Sequence, residues 1–110
     1  MERRSADDRL LDYMIALEAL YLPGERIELG FRLAARIAWT LCQTKAERLE
    51  CYRFMKKMYS ARGKVAHGEP CELLVQDVER VEGITRLSLK IWTDDRARFG
   101  KSALEDIVMG

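Results

Sequence analysis

The chain has 110 residues, 48% hydrophobic and 34% charged, the balance of a globular domain with one core rather than of a disordered tail or a fibre. Its 19 basic residues stand against 18 acidic ones, a formal charge of +1, so no global field announces a polyanion partner and any nucleic-acid contact has to be local. Cys42, Cys51 and Cys71 form no C-x-x-C pair and are odd in number, which argues against a zinc site and a secreted disulfide framework and leaves them as reduced thiols acting as small core hydrophobes. No apolar run approaches the roughly 20 residues of a membrane span, and the start MERRSADDRLL is too charged for a signal peptide. Without a linker or repeat to divide it, the chain reads as a single domain over residues 1–110, soluble, cytoplasmic and without a membrane partner.

The first helix is expected to start at Ser5, whose hydroxyl can cap it while Asp8 offers a carboxylate to the first-turn amides. Leu10, Met14, Leu17 and Tyr21 form one apolar row flanked by Leu11, Ile15 and Ala19, and Pro23-Gly24 ends the segment. A second helix runs from about Ile27 to Cys42, with Ile27, Phe31, Ala34, Ala38 and Leu41 on one side and Leu33 and Ile37 adjoining. The third begins at Thr44, where T-K-A-E is a capping box, carries Leu49, Tyr52, Met55, Tyr59 and Ala66 inward, and stops near His67 before Gly68 and Pro70. Pro70 suits the first turn of a fourth helix with Leu74, Val78, Val81, Leu87 and Ile91 inward and Gly83 as a weak point. A short last helix is expected in the tail, capped by Thr93 or Asp94 and anchored by Leu104, Ile107 and Val108. Trp39 and Trp92 read as core anchors. The sum is an all-α, up-and-down bundle of four to five helices.

A single histidine limits the chemistry, and no HExxH, P-loop, GxGxxG or paired CxxC signature occurs, so no metal and no cofactor is expected. What stands out is Tyr59-Ser60-Ala61-Arg62-Gly63-Lys64-Val65-Ala66-His67-Gly68, an R-x4-H pattern closing the third helix. Five residues of helix turn through about 500°, leaving the two side chains roughly 140° apart. They converge if the helix loosens before Gly68, or if a second copy brings its own pair to the same cleft. An imidazole moves protons near neutral pH and a planar guanidinium stabilises phosphate charge, a combination suited to metal-free RNA cleavage by an adjacent 2'-hydroxyl.

The segment YSARGKVAHG resembles the R-x4-6-H motif of HEPN domains, and DYMIALEALYLPGER followed by ELGFRLAARIAWTL is similar to the first two helices of Apea-like HEPN domains. The resemblance covers Asp8 to Gly68, and the remainder only in length and pattern. It implies a helical bundle, a homodimer with the motif ends meeting at its interface, and an endoribonuclease role in defence, stress response or toxin-antitoxin systems, with RNA as substrate and an antitoxin or other protein as partner. It assigns Arg62 to phosphate and transition-state stabilisation, His67 to general acid–base work, and Glu18, in the A-L-E-A pattern, to a supporting place beside Arg62. The sequence departs from the pattern at Gly63, where many active members carry Asn, Asp or Ser.

Other readings of the same residues stand beside this one. Glu18 suits a structural salt bridge to Arg36 or Arg62, and Tyr59 packs at a core boundary or lines the site beside Arg62. Lys64, with Arg53, Lys56 and Lys57, forms a solvated basic face or meets an RNA backbone. The rival function is a non-catalytic nucleic-acid- or protein-binding or dimerisation module of the same fold, as part of a larger protein or alone.

Overall fold

The computed structural model describes residues 5–109, with side chains as far as Ile107. Helix α1 (Ala6–Tyr21) starts where local chemistry asks it to: Ser5 is extended (φ −67°, ψ 159°) and its hydroxyl accepts from the Asp8 amide at 3.1 Å. The Leu22 amide closes the helix onto the Glu18 carbonyl, and Leu22 to Glu25 form a turn bonded at 3.2 Å. Gly24 sits third in that turn at φ 71°, a value that suits glycine after proline in a type II turn.

Helix α2 (Leu29–Leu41) begins two residues after the expected Ile27, because Glu28 takes the left-handed conformation (φ 51°, ψ 40°) and makes no side-chain cap. Helix α3 (Lys45–Ala66) follows Thr44, whose hydroxyl accepts from the Glu47 amide at 3.1 Å and donates to the Glu47 carboxylate at 2.8 Å. Only the first half of the capping box is therefore made as expected, since the carboxylate takes the hydroxyl in place of the Thr44 amide.

Helix α4 (Val75–Asp94) starts later than Pro70 suggests. Residues 69–74 cross the end of α3 without regular structure, and Cys71 and Leu73 pack on the core from that stretch, so Pro70 belongs to the crossing. Gly83 is no break: α4 runs through it. Thr93 and Asp94 are not caps of the last helix but the end of α4, where the Thr93 hydroxyl bonds back to the Leu89 carbonyl at 2.9 Å. A 3-10 turn, Arg96–Phe99, then leads into α5 (Lys101–Met109).

Helix α2 packs most closely on α3 and α1 on α4, with α1 also touching α2 and α3 and α5 lying on α2. Among the described residues there is no strand, and the chain is an all-helical bundle. The α1 row of Leu10, Met14, Leu17 and Tyr21 is fully buried as expected, against Leu33 and Ile37 of α2, Met55 and Met58 of α3, Val81 of α4, Phe99 and Leu104. Ile107 is half-buried against this core, and the Val108 side chain lies outside the described residues.

Two expected faces are displaced. Ile27, before α2, and Phe31 within it are exposed, and the inward face of α2 is Leu33, Ala34, Ile37 and Ala38. In α3, Leu49 is exposed and Tyr52 and Tyr59 are half-buried, while Cys51, Phe54, Met55, Met58 and Ala61 turn inward. Both helices carry apolar residues on two adjacent faces, and the rest of the bundle covers only one of each. Trp39 is likewise an outward residue, 44% exposed, whereas Trp92 packs half-buried on the core. Leu74, just before α4, and Leu87 of α4 also face out, and Thr85 and Ser88 take inward positions because their hydroxyls find partners: the Val81 carbonyl for Thr85 and the Tyr21 hydroxyl for Ser88, each at 2.8 Å.

One buried charge organises the α1–α2 corner. Arg36 is 1% exposed, donates from Nη1 to the Tyr21 carbonyl at 2.7 Å and from Nη2 to the Glu25 carboxylate at 3.3 Å, and thereby satisfies a terminal carbonyl of α1. Its Nε is buried without a partner. No helix among the described residues is long and apolar enough to cross a membrane.

Candidate functional site

The most ordered polar feature near the R-x4-H pattern joins two helices. Arg62 of α3 donates from Nε to Glu18 Oε2 at 2.8 Å and from Nη2 to Glu18 Oε1 at 3.1 Å, a two-point grip that fixes the guanidinium plane. Glu18 therefore chooses Arg62, while Arg36 goes to Glu25. Both partners keep about a quarter of their side chains in solvent, 26% and 22%. Donating hydrogen bonds to the Glu18 carboxylate pushes the Arg62 pKa above its ordinary value, so the group stays a cation throughout the accessible pH range. The remaining amine, Nη1, takes no part in the pair.

His67 sits at the cap of α3, and its position follows from Gly68. Gly68 is left-handed (φ 72°), its amide bonds the Val65 carbonyl at 3.1 Å, and the Glu69 amide reaches back to the Lys64 carbonyl at 2.8 Å, the paired bonds of a Schellman ending. This ending holds the His67 backbone at φ −91°, ψ 3° and leaves the residue exposed. Among the described residues the imidazole makes no hydrogen bond or ion pair. Helix α3 stays regular through Gly63 up to Ala66, so Arg62 and His67 keep the wide angular separation of an unbroken helix and do not converge within one chain.

Tyr59 is half-buried and lies three residues before Arg62 on α3, close to one helical turn. Its ring also rests on Gly30 at the start of α2, where an added Cβ would stand 2.9 Å from the ring edge. The residue thus serves packing while bordering the candidate site. Lys64 points elsewhere: two residues of helix turn through about 200°, and Lys64 lines a separate groove of about 360 Å³ with Lys57, Ser60, Pro70 and Leu73. Arg62, Glu18 and Tyr59 are brought together; His67 is adjacent at the helix end; Lys64 is on the other side.

A second concavity was not anticipated from the sequence. Outward-facing Phe31 and Trp39 of α2 and Leu49 and Tyr52 of α3 wall a groove of about 560 Å³, with Lys45 and Arg48 at its edge. The signal for it was present as a surplus of apolar residues on α2 and α3, more than one inward face can absorb. Among the described residues no three His, Cys, Asp or Glu side chains gather closely enough to hold a metal ion. Comparison with family models, curated proteins and solved structures finds nothing that matches this chain.

Proposed function

We propose that this chain is an HEPN-type domain acting as a metal-independent endoribonuclease in a homodimer. The observation that supports it most is the two-point Glu18–Arg62 pair, which holds a permanently charged, partly exposed guanidinium one turn and a half before an exposed imidazole at the end of the same helix. In a dimer that brings two α3 ends together, one imidazole accepts the proton of a ribose 2'-hydroxyl as its oxygen attacks phosphorus. The bond from phosphorus to the 5'-oxygen breaks, and the second imidazole, as imidazolium, protonates that leaving oxygen. Arg62 binds the phosphate through Nη1, the amine that Glu18 leaves unused, and offsets the extra charge of the pentacoordinate state. The products are a 2',3'-cyclic phosphate and a 5'-hydroxyl. Defence, stress response or toxin-antitoxin activity in the cytoplasm is the setting this reading fits, with an antitoxin as a further partner.

A second reading, a non-catalytic HEPN module that binds RNA, a protein or its own copy, is favoured by two observations. Arg62 and His67 do not converge within the chain, and Gly63 occupies the position where a polar residue would assist. RNA cleavage in EDTA by wild type, His67→Ala and Arg62→Ala proteins, with oligomeric mass recorded for each, separates them. Metal-free cleavage by the wild type alone, leaving cyclic phosphate ends, supports the enzyme; inactivity of all three with a dimer that depends on Arg62 or His67 transfers the assignment to the module.

A further inference from the structure

We propose that the groove between α2 and the N-terminal half of α3 docks an acidic amphipathic helix of a partner protein. This goes beyond the ribonuclease reading and stands without it. Tyr52 of the groove and Arg62 of the R-x4-H pattern are ten residues apart on one helix, about 15 Å along its axis, and no side chain of the pattern lines the groove.

The groove is built from residues that a bundle would normally bury. Phe31, Trp39 and Leu49 are 39%, 44% and 46% exposed, and Ala35, 4% exposed, forms a smooth floor between them. Phe31 meets Tyr52 edge to face at 6.1 Å, which braces the wall across the two helices. A concave apolar seam between two packed helices is shaped for a third helix, which would insert residues at i, i+3 or i+4 and i+7. Phe31 and Trp39 lie eight residues apart, about 12 Å along α2, the length of two turns of such a helix.

Charge selects the occupant. Among the described residues the ionic side chains lining the groove are Lys45 and Arg48, and no carboxylate lines it. Arg48 is held in place: its Nε donates to the Cys42 carbonyl at 3.1 Å and its guanidinium lies 5.0 Å over the Trp39 ring. An isologous second copy would set Lys45 and Arg48 of the two chains against one another around the axis, a like-charge penalty. Single-stranded RNA fits less well, because two cations beside an aliphatic and aromatic lining give no track for a phosphate backbone, and one Trp39 face is already covered by Arg48. Carboxylates flanking an apolar helical stripe answer both features at once.

The test is titration of the full chain with a capped helical peptide of about 15 residues, leucines at i, i+4, i+7 and i+11 and glutamates flanking them. Its twin carries lysine for each glutamate, and an unstructured oligoribonucleotide serves as the third probe. Calorimetry and tryptophan fluorescence are read together, the latter in a Trp92→Phe background so that Trp39 alone reports. The acidic peptide is expected to bind with a Kd of about 10 μM or tighter and the lysine twin at least about 10-fold more weakly, with Trp39→Ala abolishing binding and added salt weakening it. Arg48→Glu should abolish the preference, since the new carboxylate offsets Lys45; Lys45→Glu, in the first turn of α3 where a carboxylate is favoured, should do the same and keeps the test readable if Arg48→Glu does not fold. Equal binding of both peptides, binding of the oligoribonucleotide in competition with the acidic peptide, no binding by the acidic peptide, or a dimer that Trp39→Glu dissociates would each overturn the proposal.

Discussion

Replacing Glu18 with alanine removes the carboxylate that holds Arg62, and its cost follows from the geometry of the pair. The contact is two-point, at 2.8 and 3.1 Å, and joins α1 to α3 across 44 residues of chain. Exposed ion pairs are worth about 0–1 kcal/mol, while removing one partner of a buried pair costs about 3–5 kcal/mol. With the side chains 26% and 22% exposed, water still reaches the orphaned guanidinium, so the loss falls between these limits, at about 1–2 kcal/mol. At a urea dependence of about 1–3 kcal/mol per molar, the unfolding midpoint should fall by about 0.3–2 M. A double-mutant cycle with Arg62→Ala should return a coupling of about 1 kcal/mol. Glu18→Gln keeps one acceptor and most of the stability but frees the guanidinium plane, so on the ribonuclease reading it lowers cleavage with the fold intact. A coupling below about 0.3 kcal/mol would refute the view that this pair orders Arg62.

Three further outcomes are expected. Gly63→Ala should raise stability by up to about 1 kcal/mol, since α3 is regular there and nothing lies within 4 Å of an added Cβ; thermal unfolding checks this, and on the enzyme reading Gly63→Asn should raise cleavage. Glu28→Gly should be neutral to stabilising by about 1 kcal/mol, because relief of a left-handed non-glycine residue (φ 51°) outweighs the added freedom of the unfolded chain, as urea unfolding would show. Burial pushes the Tyr21 phenol up to about 12 from 10.0, so the folded state holds this proton more tightly than the unfolded one. That contribution is complete below pH 10 and is lost as pH rises from there through about 12, so alkaline unfolding should have a Tyr21 component that Tyr21→Phe removes. Tyrosinate absorbance should show a late-titrating component that Tyr21→Phe removes.

Helix ends were legible in the sequence because their causes are local. Ser5, Thr44, Pro23-Gly24 and Gly68 act on amides and carbonyls within a few residues, and the structure places them as cap, cap, turn and Schellman glycine. The α1 row was equally legible, its apolar residues forming one dominant stripe. The candidate pattern of Arg62 and His67 could be seen as spacing, but spacing does not say whether two side chains meet. Tertiary structure decided the rest. Glu18 had two arginines to choose from, and the α1–α3 packing gave it Arg62 while the Pro23-Gly24 turn carried Glu25 to Arg36. The α2 and α3 helices each offered two adjacent apolar faces, and burial of Leu33 and Phe54 in place of Phe31 and Leu49 depended on which face the rest of the bundle could cover. Hydrophobic burial is non-directional and sums over the whole core, so periodicity identifies the faces that can be buried, and only the assembled bundle selects among them.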